Sequence, residues 1–83
     1  MKFKAKIEVM LKPGHSDPEG DTTARALREL NYPVESVGVS KVYMVVLESV
    51  SKVEAEKMAD EMCRRLLANP TKDDYRFEIR ETE

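Results

Sequence analysis

The chain has 83 residues, of which 41% are hydrophobic and 36% are charged, and its formal net charge is −2. This length predicts one domain spanning residues 1–83, and the hydrophobic fraction is typical of a folded chain rather than a disordered one. The 14 basic residues are balanced by 16 acidic ones and form no basic block, which argues against electrostatic capture of nucleic acid.

The residues that bear on the compartment point to the cytoplasm. Cys63 is the only cysteine, so it cannot form an internal disulfide and is typical of a reducing environment. Lys2, Lys4 and Lys6 interrupt the apolar residues at the start, unlike the core of a signal peptide. The longest apolar runs are far short of a membrane span, so we expect no membrane association.

The first 33 residues predict a strand followed by a helix. Apolar residues at alternate positions from Phe3 to Leu11 indicate a strand with one buried face. Asp17 or Ser16 can cap the next helix, with Pro18 in its first turn. The helix carries a stripe of apolar residues and should end near its last member, where Asn31 and Pro33 favour termination: Ala24, Leu27 and Leu30.

Residues 34–39 and 42–50 predict two further strands joined at Ser40-Lys41 as a hairpin. The second of them is apolar on both faces, one carrying Val42, Met44 and Val46 and the other Tyr43, Val45 and Leu47. A strand with two apolar faces needs to be covered on both sides.

The last third of the chain predicts a second helix and a final strand. Ser51-Lys52-Val53-Glu54 is a capping box, and an apolar stripe at spacings of three and four follows it. Asn69-Pro70 ends the helix, because a residue that precedes proline is pushed out of the α region. Alternation from Tyr75 to Ile79 predicts a half-buried strand.

The predicted order β-α-β-β-α-β is that of an α+β, ferredoxin-like split βαβ fold. It implies a four-stranded antiparallel sheet with both helices on one face and with strands one and three in its centre. The other face stays open. Because the third strand is apolar on both faces, we expect the chain to form an oligomer through the sheet, most simply with another copy of itself.

No residue pattern indicates chemistry on this chain. Cys63 lies within the apolar stripe of the second helix, near the helix end whose dipole disfavours a thiolate, so it is interpreted as a small buried hydrophobe. His15 is a lone loop histidine, and no Cys-x-x-Cys or His-x-x-x-His spacing exists for a metal. The scattered glycines form no phosphate-binding loop. We therefore expect no catalytic, cofactor-binding or metal-binding residue.

Several segments together resemble one family. They are Asp17-Pro18-Glu19-Gly20 after a Lys-Pro-Gly loop, Leu30-Asn31-Tyr32, Lys41, the block Leu66-Leu67-Ala68-Asn69-Pro70, and Asp74-Tyr75. In order and spacing they resemble the PurS family, the small subunit of phosphoribosylformylglycinamidine (FGAM) synthase. The chain departs from the family pattern at Glu19, Asn31 and Ser40, where the family usually has glutamine, glycine and glycine.

The resemblance implies a non-catalytic subunit of a ligase complex in purine biosynthesis. A PurQ-like glutaminase subunit would release ammonia from glutamine, and a PurL-like synthetase subunit would use ATP and Mg to convert formylglycinamide ribonucleotide (FGAR) to FGAM. The PurS-like dimer would join the two and assist ammonia transfer. It implies no cofactor on this chain, and a dimer or tetramer of the chain itself.

Ten residues are candidates for interface contacts or belong to the family motif: Asp17, Pro18, Gly20, Lys41, Tyr43, Val45, Leu47, Asn69, Pro70 and Tyr75. The alternative function is a small-molecule-sensing module of the ACT type, with ligands near the loop 12–20. A hydrolase of the acylphosphatase kind ranks last, because the segment 11–16 has no arginine for a phosphate loop.

Overall fold

The computed structural model of the chain describes residues 1–82. Its elements in chain order are strand β1 (Lys2–Leu11), helix α1 (Pro18–Glu29), strand β2 (Lys41–Glu48), helix α2 (Lys52–Met62), a π-helical turn (Cys63–Leu67) and strand β3 (Asp73–Thr82). The three strands form one antiparallel sheet in the order β2-β1-β3.

Strand β1 lies at the centre of this sheet and sets its two faces. Ile7 stands opposite Tyr43 of β2 on one side and opposite Phe77 of β3 on the other. Since successive side chains of a strand alternate, one face of β1 is buried along most of its length: Phe3, Ala5, Ile7 and Val9.

Helix α2 covers this buried face. It contributes Ala55 and Ala59, the π-helical turn contributes Cys63, and β3 contributes Ile79. Small side chains let the helix axis lie close to the sheet, but they also make the core thin. Phe3, Ile7 and Cys63 are its largest fully buried side chains.

The predicted start of α2 is confirmed in part. The Ser51 hydroxyl accepts a hydrogen bond from the Glu54 N–H at 3.1 Å, while the Glu54 carboxylate pairs with Lys57 instead of reaching back to residue 51. The helix then continues into the π-helical turn, where the Ala68 N–H donates to the Cys63 carbonyl five residues earlier at 2.9 Å. That turn was not predicted, because its sequence continues the apolar helical stripe.

Helix α1 begins and ends as predicted. Asp17 is its cap and Pro18 is its first residue. Asn31 has φ +72°, the left-handed conformation expected at the helix end. Neither α1 nor α2 is long and apolar enough to cross a membrane.

The prediction of a fourth strand is wrong for the isolated chain. Within residues 1–82, the segment 34–39 pairs with no strand, and the chain runs from Pro33 to Lys41 without a turn or bend, so Ser40-Lys41 is not a hairpin turn. Lys41 instead begins β2, which lies at the edge of the sheet rather than in its centre. The strand predicted at 42–50 is confirmed as β2, whereas no strand forms at 34–39, because strand pairing is a tertiary property that a local pattern does not fix.

The prediction that both helices cover one face is also wrong for the isolated chain. No residue of α1 belongs to the core that α2 forms with the sheet. Instead α1 is tied to residues 34–39, and together they form a unit that we call the α1 arm (residues 17–39). The described chain is elongated, with principal extents of 51 × 29 × 13 Å.

Candidate docking surfaces

Cys63 and His15, the two candidates for catalysis or metal binding, are not positioned for either role. Cys63 is fully buried, and that burial, together with the nearby Asp60 carboxylate, raises the pKa of its thiol. A raised pKa keeps the thiol protonated and unreactive. His15 lies exposed in the loop between β1 and α1, and residues 1–82 hold no cluster of three or more potential metal ligands.

The uncovered face of the sheet, which we call the open face, carries an apolar row along β2. Val42, Met44 and Val46 are 51%, 55% and 60% exposed. Their neighbours on β1 are Glu8, Lys6 and Lys4. The open face is therefore an apolar edge bordered by charges, the composition expected of a surface that binds another protein.

The opposite face of β2 is only half covered. Tyr43, Val45 and Leu47 pack against the core but stay partly exposed, because α2 packs over β3 and β1 rather than over β2. Beside Val45 is a depression of about 410 Å³, which we call the inner groove, bounded by Val45 and by residues of α2 and the π-helical turn: Met58, Glu61, Met62, Arg65, Leu66 and Leu67. Leu66 is 83% exposed.

The start of the α1 arm is built by Asp17 and Gly20. One Asp17 oxygen accepts from the Gly20 N–H and the other from the Val39 N–H, both at 2.9 Å. These two donors hold the pKa of the Asp17 carboxyl below its ordinary value. A side chain at position 20 would place its Cβ 2.1 Å from the Val37 carbonyl oxygen, so only glycine fits this close approach.

The far end of the arm is held by Arg28. Its guanidinium donates to the Val34 carbonyl at 2.8 Å and to the Glu35 carbonyl at 2.6 Å. Sequence reasoning missed this contact, although an arginine in the last turn of a helix that precedes an extended segment was a usable signal. Asp17 and Arg28 thus fasten residues 34–39 along α1 at both ends.

Asn69, Pro70 and Tyr75 shape the return from the π-helical turn to β3. The Asn69 side chain accepts from the Thr71 N–H at 2.9 Å, and Lys12 donates to the Pro70 carbonyl at 3.0 Å. The Tyr75 hydroxyl donates to Asp60 of α2 at 2.6 Å. These candidate residues therefore have a structural role in this turn, and their predicted interface role remains a prediction.

Asp60 is a residue that the sequence analysis did not single out. Its carboxylate accepts from the Tyr75 hydroxyl and from the Arg64 guanidinium at 2.7 Å. Hydrogen bonding by Tyr75, and then by Arg64, holds the pKa of the Asp60 carboxyl below its ordinary value. The group ties α2, the π-helical turn and β3 together.

The candidate residues are spread over four parts of the fold. Asp17, Pro18 and Gly20 lie at the start of the arm, Lys41, Tyr43, Val45 and Leu47 on β2, Asn69 and Pro70 in the turn before β3, and Tyr75 on β3. Tyr43, Val45, Leu47 and Tyr75 pack against the same core, so these four share one face of the sheet.

These features define a class of protein: a small α+β chain whose exposed strand, groove and arm suit it to bind other proteins. The family comparison is more specific. Residues 4–81 match the family model PurS, described as phosphoribosylformylglycinamidine (FGAM) synthase. The chain belongs to the PurS family.

Individual relatives agree with this match. The chain is 42% identical over 78 residues to phosphoribosylformylglycinamidine synthase subunit PurS of Archaeoglobus fulgidus, covering 93% of this chain and 98% of that protein. It resembles the solved structure of Thermus thermophilus PurS with a TM-score of 0.90 at 36% identity over the whole of both chains. A chain in the structure of PurLQS from Thermotoga maritima matches with a TM-score of 0.87 at 30% identity, covering 96% of this chain and 99% of that one.

Proposed function

We propose that this chain is the non-catalytic PurS subunit of an FGAM synthase complex, a ligase of purine biosynthesis. The observation that carries the proposal is the family match over residues 4–81, in a chain whose described part presents docking surfaces and a protonated, buried thiol. The complex converts FGAR to FGAM with ATP, and glutamine supplies the nitrogen and leaves as glutamate.

The proposed partners are a PurL-like synthetase and a PurQ-like glutaminase. The likeness to a chain of the PurLQS structure supports this assignment. ATP and Mg belong to the synthetase in this proposal, and this chain holds neither. We place the complex in the cytoplasm, where the free thiol of Cys63 stays reduced.

We also propose that the chain binds a second copy of itself through the sheet. The exposed row Val42, Met44 and Val46 supports this proposal, because three large apolar side chains in a line are unfavourable in water. Lys4, Lys6 and Glu8 beside them supply both signs of charge, which fixes the register of a contact more than its strength.

The physical reason for a joining subunit lies in the chemistry of ammonia. Free ammonia that escapes into water is protonated and loses the lone pair with which it attacks. A closed protein junction between glutaminase and synthetase excludes water and keeps the molecule neutral. A subunit that seals such a junction contributes to the reaction without a catalytic residue of its own.

The proposal is tested by glutamine-dependent synthesis. The synthetase and glutaminase subunits of the same organism are assayed for FGAM formation with and without this chain, and we expect the rate to depend on its presence. An ammonium salt in place of glutamine is the control, because it supplies the nitrogen without the glutaminase. A glutamine-dependent rate that is the same without the chain would reject the proposal.

Calorimetry distinguishes the alternative, an ACT-type sensing module, from the proposed subunit of FGAM synthase. Amino acids and nucleotides are titrated into the chain alone, and the proposed role predicts no tight binding. Tight binding of one of them to the isolated chain would favour the sensing module instead.

A further inference from the structure

Strand pairing places two cations side by side on the open face. Lys4 of β1 stands directly opposite Arg80 of β3, and both side chains are exposed. Like charges directly opposite each other in a sheet repel and destabilise the pairing. Lys2 and Lys6 share this face of β1, one row to either side, because alternate residues of a strand point the same way. We call Lys2, Lys4, Lys6 and Arg80 the cationic patch.

The chain does not neutralise this patch. No side chain of the patch forms an ion pair with another residue of the range 1–82. The carboxylates nearest to it are already opposed. Glu8 accepts from two side chains outside β1, Glu48 pairs with the amino terminus at 3.3 Å, and Glu78 stands in register with one lysine of the patch. Lys4 and Arg80 therefore keep an uncompensated positive charge, although the net charge of the chain is −2.

The patch surrounds a depression of about 290 Å³ on the open face. Its lining consists of one apolar and four charged side chains: Lys4, Lys6, Met44, Glu78 and Arg80. The methylene stems of lysine and arginine cover apolar surface while their charged ends stay in water. A side chain that enters the depression displaces this water, and the attraction between opposite charges strengthens when water is excluded.

The group that fits this arrangement is a carboxylate on the surface of another protein. A guanidinium such as that of Arg80 binds a carboxylate through two parallel hydrogen bonds, and a lysine adds a point charge. A small free anion would leave the neighbouring apolar side chains Met44 and Val46 in water. A protein surface with carboxylates beside apolar side chains covers both, and charged residues around an apolar centre are typical of protein interfaces.

The patch suits a different protein better than a second copy of this chain. A second open face carries the same cations, and like charges across an interface are costly. The contact between copies proposed above follows the apolar row on β2. Arg80 lies on β3, two strand spacings or about 10 Å from that row. The β3 side of the open face therefore remains available when the row on β2 is covered.

We propose that the cationic patch docks an acidic surface of one of the partner subunits, with carboxylates of that surface bound between Lys4 and Arg80. The inference rests on the proposed function and adds to it the surface and the chemistry of the contact. Complementary charge of this kind speeds the encounter of two proteins and fixes their orientation.

Reversal of the two central charges tests the proposal. The double variant Lys4→Glu/Arg80→Glu replaces one like-charged pair by another, so the repulsion within the chain is preserved while the attraction for carboxylates is lost. The measurement is the concentration of the chain that gives half-maximal glutamine-dependent FGAM synthesis with the synthetase and glutaminase subunits. We expect the double variant to require about tenfold more chain, or to fail to saturate.

A second variant guards against loss of the fold. Lys4→Gln/Arg80→Gln removes the charges together with their repulsion, so it should be at least as stable as the wild type in thermal melts. It should also raise the half-maximal concentration. A value equal to that of the wild type in this folded variant would overturn the proposal.

The matched control reverses two exposed lysines on the other layer of the fold. Lys52→Glu/Lys57→Glu on α2 changes the net charge by the same amount, so it should leave the half-maximal concentration near the wild-type value. Salt supplies a second control. From about 50 mM to about 300 mM NaCl the half-maximal concentration should rise for the wild type and stay level for the reversed patch. Equal effects of the two reversals would show that net charge matters rather than the patch.

Sedimentation of each variant alone identifies the occupant. The mass of the reversed-patch variant should equal that of the wild type at the same concentration. A change of mass would show that a second copy covers the patch, and it would overturn the proposal.

The same assay separates this inference from the proposed function. If synthesis requires the chain but the reversed patch behaves as the wild type, the docking surface is wrong and the proposed function stands. If synthesis does not require the chain at all, the proposed function is rejected, and the docking surface is rejected with it.

Discussion

Asp17 and Gly20 show how a short motif acts through backbone contacts. Asp17 caps α1 and also accepts from the Val39 N–H, while Gly20 lets the Val37 carbonyl approach the helix. Pro18 between them fixes the first turn of the helix. The residues of the Asp-Pro-x-Gly motif thus form the start of the α1 arm, and their contacts explain the spacing of the motif.

The substitution Gly20→Ala tests the close approach between helix α1 and the Val37 carbonyl. Its Cβ would meet the Val37 carbonyl oxygen at 2.1 Å, so the extended segment has to move away from the helix. We expect a loss of about 1–2 kcal/mol in the free energy of unfolding, measured by urea titration. Gly38→Ala is the control, since nothing lies within 4 Å of its added carbon. Equal stability of the two variants would contradict the close approach.

Tyr75 and Asp60 give a prediction about pH. Tyr75→Phe removes the hydroxyl that donates to the Asp60 carboxylate, so its melting temperature should fall below that of the wild type at pH 7. The folded-state pKa of Asp60 is lowered, so the stabilisation is fully present above about pH 4 and is lost as the pH falls through that folded-state pKa.

Thermal melts from pH 8 to pH 2.5 check this prediction. The difference between wild type and Tyr75→Phe should be constant from pH 8 to pH 5 and shrink below pH 4. Other carboxylates contribute equally to both proteins, so they cancel in the difference. A difference that did not change with pH would show that the hydroxyl acts through packing rather than through the charged Asp60.

At the scale of elements, β2 is the one whose surroundings are incomplete. It has an exposed apolar face, a half-covered inner face and an edge that pairs with no strand in the described part of the chain. Its mixture of valine, tyrosine and leucine is that of a central strand buried on both sides. The sequence therefore predicts a strand that is covered on both faces, whereas the described chain leaves β2 at an edge of the sheet.

Val45→Asp tests the inner face of β2. Val45 packs against the core and lines the inner groove, so an unpaired carboxylate there should cost about 3 kcal/mol and either unfold the chain or dissociate its oligomer. Sedimentation and thermal melting measure the two effects. Val50→Asp is the control, because Val50 lies after β2 and is 82% exposed. Unchanged size and stability of Val45→Asp would contradict this placement.

At the scale of the whole molecule, the core is too thin to stabilise the chain strongly. Its buried hydrophobic residues include four alanines, Ala5, Ala55, Ala59 and Ala68, and few large side chains. Each alanine buries little apolar area, so the stabilisation gained per residue is small. Folding of a chain with so thin a core and so long an arm is expected to be coupled to association.

Coupled folding predicts a melting temperature that depends on concentration. By mass action, the stability of a folded dimer rises with the concentration of its chains. We expect the melting temperature to increase when the protein is scanned at about 500 µM instead of about 5 µM. Lysozyme or another stable monomer scanned at the same two concentrations is the control. An unchanged melting temperature would show that the monomer is stable alone.

Local sequence determined the elements and the residues that end them. The period-two alternation of Phe3 to Leu11, the Ser51 cap of α2 and the left-handed Asn31 all act over a few residues, so the sequence predicted them correctly. The motif blocks also indicated the family, because they lie in order along the chain. By contrast, the sequence analysis did not single out Asp60 and Arg28, because a charged residue on a helix looks solvated until its partner outside the helix is known.

Only the tertiary structure decided where residues 34–39 and α1 lie. The sequence predicted a strand and a helix there, and it could not distinguish a hairpin at Ser40 from a straight passage into β2. The local preferences of residues 34–39 fit an extended segment in either arrangement, so they do not choose between them. The choice depends on contacts that the segment makes with α1: the Val39 N–H donates to Asp17, which lies 22 residues earlier, and Arg28 donates to the Val34 and Glu35 carbonyls.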